Sequence, residues 1–185
     1  MTKLRLLFIS VQICCFLLSY SQKPDSIPKL TIKQLMNAIY QPSLDSEFDS
    51  NLMLKNGIHY YPNENGVIDS ASYTEIDDRM VAFGDLNNDG IDDAVVILGT
   101  DGGGTGYFMD LVTVYNRNGK PKCIASKSLG DRVVVKNIKI NNGVIELKML
   151  THAEKDGQCC PSRKTAPKFI VKGKKLVEIT GVNFY

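Results

Sequence analysis

Tryptophan is absent from the 185 residues, and histidine occurs only as His59 and His152. No His-Glu-x-x-His pair exists, which excludes the zinc-hydrolase helix, and no serine stands in a Gly-x-Ser-x-Gly elbow. Surplus charge is missing too. Residues 22–185 carry 20 Lys+Arg against 20 Asp+Glu, so the uniform basic field of a nucleic-acid binder is excluded. No stretch reaches the roughly 20 apolar residues of a membrane-spanning helix. The longest, Leu6 to Leu18, is broken by Ser10 and Gln12.

That stretch fits a secretory signal instead. Lys3 and Arg5 form a basic start, Leu6 to Leu18 the apolar centre, and Ser19-Tyr20-Ser21 places small residues at the minus-three and minus-one positions before Gln22. The expectation is a signal peptide over 1–21, a polar lead-in over 22–29 and a single β-rich domain over 30–185. The protein is then exported, periplasmic or extracellular, with no stable membrane span after cleavage. A membrane anchor and a lipoprotein compete with this reading. Neither Cys14 nor Cys15 follows the small residue that lipid attachment prefers.

Charge is divided along the chain. Residues 22–119 hold 6 basic and 15 acidic side chains, and residues 120–185 hold 14 and 5. Lysines on exposed strands that solvate a sheet and guard its edges explain such a bias, and a lysine-rich binding face also does.

Thr31 with Gln34 makes a capping box, Leu30 with Leu35 a hydrophobic staple, and Ile32, Leu35, Met36 and Ile39 fall at helical spacing. A helix running to Gln41-Pro42 is predicted. Thereafter Asn56-Gly57, Asn65-Gly66, Asn118-Gly119, Asn142-Gly143 and Lys172-Gly173 punctuate β-rich runs. Ile145, Leu147 and Met149 alternate with Glu146 and Lys148, as in a half-buried strand. Ala94–Leu98 is continuously apolar, as in a central strand covered on both faces, and Leu111–Tyr115 resembles it. The predicted fold class is α+β: an antiparallel meander of about six or seven strands with one N-terminal helix packed on it.

Asp85-Leu-Asn-Asn-Asp-Gly-Ile-Asp-Asp93 carries the sharpest chemistry. Calcium takes six to eight oxygen ligands, and a short loop supplies them from alternate residues. Asp85, Asn87 and Asp89 occupy the first, third and fifth positions, Gly90 permits the turn, and Ile91 offers its carbonyl. An EF-hand needs glutamate at the twelfth position, where Val96 stands, so closure falls to Asp93 at the ninth. The competing reading is a metal-free Asx turn. A structural calcium ion is the expected cofactor.

Gly99–Gly106 lacks the Lys-Ser/Thr of a P-loop and the helix of a dinucleotide fold. It reads as a wide hairpin connection whose Gly102, Gly103, Gly104 and Tyr107 could rim a ligand site. Cys123, Cys159 and Cys160 are the disulfide candidates. With His152 and Asp156 they also raise zinc binding or a Cys/His nucleophile. Adjacent Cα atoms lie about 3.8 Å apart, below the usual disulfide span of about 4.4–6.8 Å, so a vicinal bond would be strained and linkage of Cys123 to one of the pair is favoured, worth roughly 4 kcal/mol in chain entropy. Asp77-Asp78 and Asp92-Asp93 are carboxylate pairs, but neighbours on a strand point to opposite faces, and no catalytic residue is assigned.

The calcium segment resembles the loops of FG-GAP and integrin-type propeller blades, here in a single copy. Six pieces together resemble a family of small, uncharacterised exported bacterial proteins. They are Asn37–Tyr40, Leu54–Gly57, Gly84–Val96, Gly102–Phe108, Leu129–Val133 and Asp156–Ser162. The last is also similar to LppP/LprE-type envelope lipoproteins. The resemblance implies an exported domain and no established activity. The expected function is a non-catalytic, calcium-stabilised binding or structural module for an envelope or extracellular protein or glycan. An envelope hydrolase, an enzyme inhibitor and a thiol-redox protein using Cys159 and Cys160 are the alternatives.

Overall fold

The computed structural model describes residues 27–43 and 51–179. The expected signal peptide over 1–21, most of the expected lead-in and residues 180–185 lie outside them. The fold is nearly all β, which corrects the α+β expectation. Helix α1 is one turn, Ile32–Leu35. Its capping box forms as the sequence predicts, with Thr31 and Gln34 bonded reciprocally. The helix stops because the Met36 carbonyl accepts the Gly57 N–H at 2.8 Å and the chain turns into a short strand, β1 (Ile39–Tyr40). Ile32 and Ile39 are therefore exposed, and the buried residues are Leu30, Leu35, Ala38 and Tyr40.

Strand β1 pairs with β2 (Leu52–Met53). Five further strands form an antiparallel meander that curls into a half-barrel: β3 (Ile58–Pro62), β4 (Ile68–Gly84), β5 (Asp93–Gly102), β6 (Tyr107–Arg117) and β7 (Lys120–Asp131). Its register slips between Ile76 and Val81, where Asp77 takes the backbone and side chain of Arg79. The expected single meander is thus only part of the molecule. A second antiparallel sheet holds β8 (Val134–Asn141), β9 (Val144–Thr151), β10 (Arg163–Thr165), β11 (Lys168–Lys172) and β12 (Lys175–Glu178).

The reason for two sheets lies in β5. Ala94, Val96 and Leu98 face one side with Leu30, Leu35, Tyr40 and Leu54; Val95 and Ile97 face the other with Ile145, Leu147 and Phe169. All five β5 side chains are fully buried. A strand with two apolar faces needs two covers, and one helical turn covers part of one face. The first face is closed by α1, β1 and β2, the second by the β8–β12 sheet. The Asn-Gly signals are turns as read: Asn118-Gly119 joins β6 to β7 and Asn142-Gly143 joins β8 to β9, each residue with positive φ. Both central residues of a type I′ hairpin need that conformation.

Candidate functional site

Strand β5 has a chemically loaded loop at each end, separated by about 30 Å at 3.4 Å per residue. At its start, the Asp85–Asp93 segment is a ladder of side-chain-to-backbone bonds. Asp85 Oδ1 accepts the N–H groups of Asn87 (3.1 Å) and Asp89 (3.3 Å), and Oδ2 accepts that of Gly90 (2.8 Å). Asn87 accepts the Asp89 N–H, and Asp89 accepts that of Ile91. Asn88 and Gly90 adopt positive φ, which lets the chain coil this tightly.

The loop is anchored from beneath. Leu86 is buried in the second core, and the turn at Gly143 packs beside the carbonyls of Asp85 and Leu86. Asp93 is wholly buried, accepting the Leu86 N–H on Oδ2 at 3.2 Å and the Asn116 N–H on Oδ1 at 2.9 Å. Backbone donors, that of Gly90 foremost, hold the Asp85 carboxyl below its ordinary range. Burial pushes Asp93 upward against its two N–H donors, and the charges of Asp89 and Asp85 add to that push. Asp92 lies to the outside, paired with Lys29 at 3.4 Å.

These residues suit calcium by donor type, since every side-chain ligand is oxygen. A carboxylate offers about four lone-pair sites; Asp85 uses three of them here and Asp93 two. The charges of Asp85 and Asp89 also disfavour the ionised form of Asp93, a repulsion that a cation would relieve. The oxygens are turned onto backbone N–H groups, however, and among the described residues no group of three or more His, Cys, Asp or Glu converges on a point. Asp85, Asn87, Asp89, Ile91 and Asp93 would be the holders, with Asp93 the fixed member.

At the far end of β5, the glycine connection is pinned from three sides. Gly102 closes the strand, and Gly103 at φ +79° donates its N–H to Asp101 at 2.8 Å. Gly104 faces open space. The Tyr107 ring lies across Gly99, where any Cβ would overlap its hydroxyl, and that hydroxyl donates to Glu75 at 2.8 Å. Burial and the Glu75 carboxylate push the Tyr107 hydroxyl far above its ordinary range. Asp131 accepts the Tyr107 N–H at 2.9 Å. Arg132 donates from Nε to the Thr105 carbonyl at 2.9 Å and from Nη1 to that of Gln158 at 3.5 Å, while pairing with Asp131. Three segments distant in sequence, 102–108, 129–133 and 156–162, therefore meet at one edge.

Comparison with protein-family models, curated proteins and solved structures finds no match to this chain.

The cysteines differ from the favoured linkage. Cys159 and Cys160 are bonded to each other, their Cα atoms 3.8 Å apart, and Cys123 is a free thiol. Cys123 packs against the first core, while loop 152–162 belongs to the sheet covering the opposite face. Burial pushes the Cys123 thiol up, which makes it a poor nucleophile. Asp156 is occupied as a clamp, accepting the N–H groups of Ala153 and Ser162 and the Ser162 hydroxyl. His59 contacts the Met53 carbonyl at 3.1 Å.

Sequence reasoning missed that Arg132 reaches the glycine connection. It also missed Glu75, Leu86 and Asn116. Asn116 joins three segments by donating to the Pro28 carbonyl, accepting the Gly119 N–H and capping Asp93. No motif spacing announces these, because the deciding partners lie far along the chain: Glu75 is 32 positions from Tyr107, and Asn116 is 23 from Asp93 and 88 from Pro28.

Proposed function

We propose that the chain is an exported, non-catalytic binding module that engages an envelope or extracellular protein or glycan through the edge formed by Gly102–Tyr107, with calcium in the Asp85–Asp93 loop stiffening the scaffold. The observation that carries the reading is Arg132. Its guanidinium fastens the glycine connection to loop 152–162, so an otherwise pliable hairpin end becomes a fixed contour. Tyr107 and Glu75 stand inside that contour with Tyr73 and Asp101 on neighbouring strand positions. Half-buried tyrosines beside carboxylates suit recognition surfaces, since the ring gives contact area and the polar groups give orientation. Calcium acts as architecture in this reading, because Asp93 leads into the doubly covered strand.

The test retains partners from envelope proteins and envelope polysaccharide on immobilised wild-type protein and on Arg132→Ala. The wild type holds a defined partner and the variant releases it at lower salt. A clean negative with both fractions, or equal retention by the variant, sinks the reading.

A thiol-redox role is a second reading, favoured by the exposed bond between Cys159 and Cys160. It requires exchange with a small dithiol, the two cysteines taking up the electrons and protons that the dithiol loses. An unreactive pair in native protein excludes it.

A further inference from the structure

An open groove of about 420 Å³ runs between β7 and the turn joining β11 to β12. Three lysines line it, Lys127 from β7, Lys174 from the turn and Lys175 from the start of β12, together with the hydroxyl residues Ser43, Ser126 and Ser128; Leu176 forms part of its wall. Three of the described lysines are ion-paired. Lys139 and Lys168 both bond Glu146 at 2.8 Å, and Lys29 meets Asp92. Lys127, Lys174 and Lys175 have no ion-pair partner among the described residues.

Asp110 is buried on β6 in register with Ser128, and it accepts both the N–H and the hydroxyl of Ser43. It fixes Ser43 in place. Ser126 and Ser128 alternate with Lys127 along β7, so their side chains leave the strand on the Ser43 side and that of Lys127 on the side of the β11–β12 turn.

We propose that this groove binds the phosphate group of an organic phosphate. Compact ammonium groups act as point charges toward phosphate, and Lys127, Lys174 and Lys175 bring three of them to one groove from two elements. The volume falls within the range of small-ligand sites, about 300–1,000 Å³. The open mouth admits either a free organic phosphate or one unit of a phosphodiester polymer, and the chemistry at the lysines is shared. The proposal stands apart from the Gly102–Tyr107 edge and does not depend on it.

The test is calorimetric titration of the full exported chain with glycerol 3-phosphate and, separately, with poly(glycerol phosphate), at fixed ionic strength. Wild type and a Lys148→Ala control bind saturably. Lys174→Ala/Lys175→Ala weakens binding about tenfold or more, and Lys127→Glu abolishes it. Circular dichroism checks that the variants keep the fold, since Lys127 is half-buried while Lys174 and Lys175 are exposed. Binding of the monomer assigns a free phosphate as the ligand, and binding of the polymer alone assigns the polymer. Absence of saturable binding to both, or binding unchanged in the groove variants, overturns the proposal.

Discussion

The buried carboxylate of Asp93 accepts the backbone N–H of Asn116 from the adjacent strand at 2.9 Å, and its other oxygen takes the N–H of Leu86. One side chain thus joins the loop to β5 and β6. In Asp93→Asn an amide NH₂ must replace one of those acceptors and confront an N–H with no space to escape. The expected loss is about 2 kcal/mol, the cost of a buried donor left unsatisfied. Urea unfolding in the presence of chelator measures it, and a variant as stable as wild type would show that the two bonds contribute nothing.

Asp85 is a different case, because its oxygens serve the loop's own turns and lie nearer to solvent. If calcium is held here, adding it at 100 times its dissociation constant raises unfolding stability by about 2.7 kcal/mol. Asp85→Ala should remove that increment and show the same melting temperature in calcium and in chelator. Scanning calorimetry of both proteins decides the matter. A wild type indifferent to millimolar calcium reduces the segment to an Asx turn.

Glu146 gives the clearest pH dependence. Bonds from Lys139 and Lys168 hold its carboxyl down from 4.5 to about 2. A depressed folded-state value means the unfolded chain takes up the proton first, so this stabilisation is complete above pH 4.5 and disappears as pH falls toward 2. Glu146→Gln should flatten that part of the stability profile and leave the slope above pH 5 unchanged. The comparison is urea midpoints of both proteins between pH 2 and pH 7.

The Gly99–Tyr107 contact tests whether the glycine connection is shaped or merely loose. A methyl at Gly99 displaces the Tyr107 ring and breaks its bond to Glu75. Gly99→Ala should therefore cost about 1–3 kcal/mol, in the range of overpacked sites. In a Tyr107→Ala background the same substitution should cost little, because the obstructed ring is gone. A double-mutant cycle with additive costs would show that ring and glycine do not interact.

Much of the fold could be read from local pattern. Ala94–Leu98 announces a strand with two apolar faces, and Asn118-Gly119 and Asn142-Gly143 announce their hairpins, because both signals depend on neighbouring residues alone. The helix was overextended because Ile32 and Ile39 fit helical spacing, while the Gly57 N–H that takes the Met36 carbonyl comes from twenty-one positions later. The second sheet was missed for a related reason: Ile145, Leu147 and Met149 show that one face is buried without showing what buries it. At the site, the Asp85–Asp93 ladder is local and legible. The Arg132 bonds to Thr105 and Gln158 are made across 27 and 26 positions and carry no sequence signature.

The cysteines supply the last prediction. A bond between neighbours closes almost no chain, so it gives none of the roughly 4 kcal/mol that a long loop would. Cys159→Ser/Cys160→Ser should shift the urea midpoint negligibly, whereas a Cys123 linkage would make the same variant markedly less stable. Alkylation with mass spectrometry provides the independent check. Native protein should label slowly at Cys123, which is shielded in the first core, and unfolding without reductant should complete that single modification. Two further labels should appear only after reduction, both in the peptide that contains Cys159 and Cys160. A peptide joining Cys123 to either neighbour would overturn the assignment.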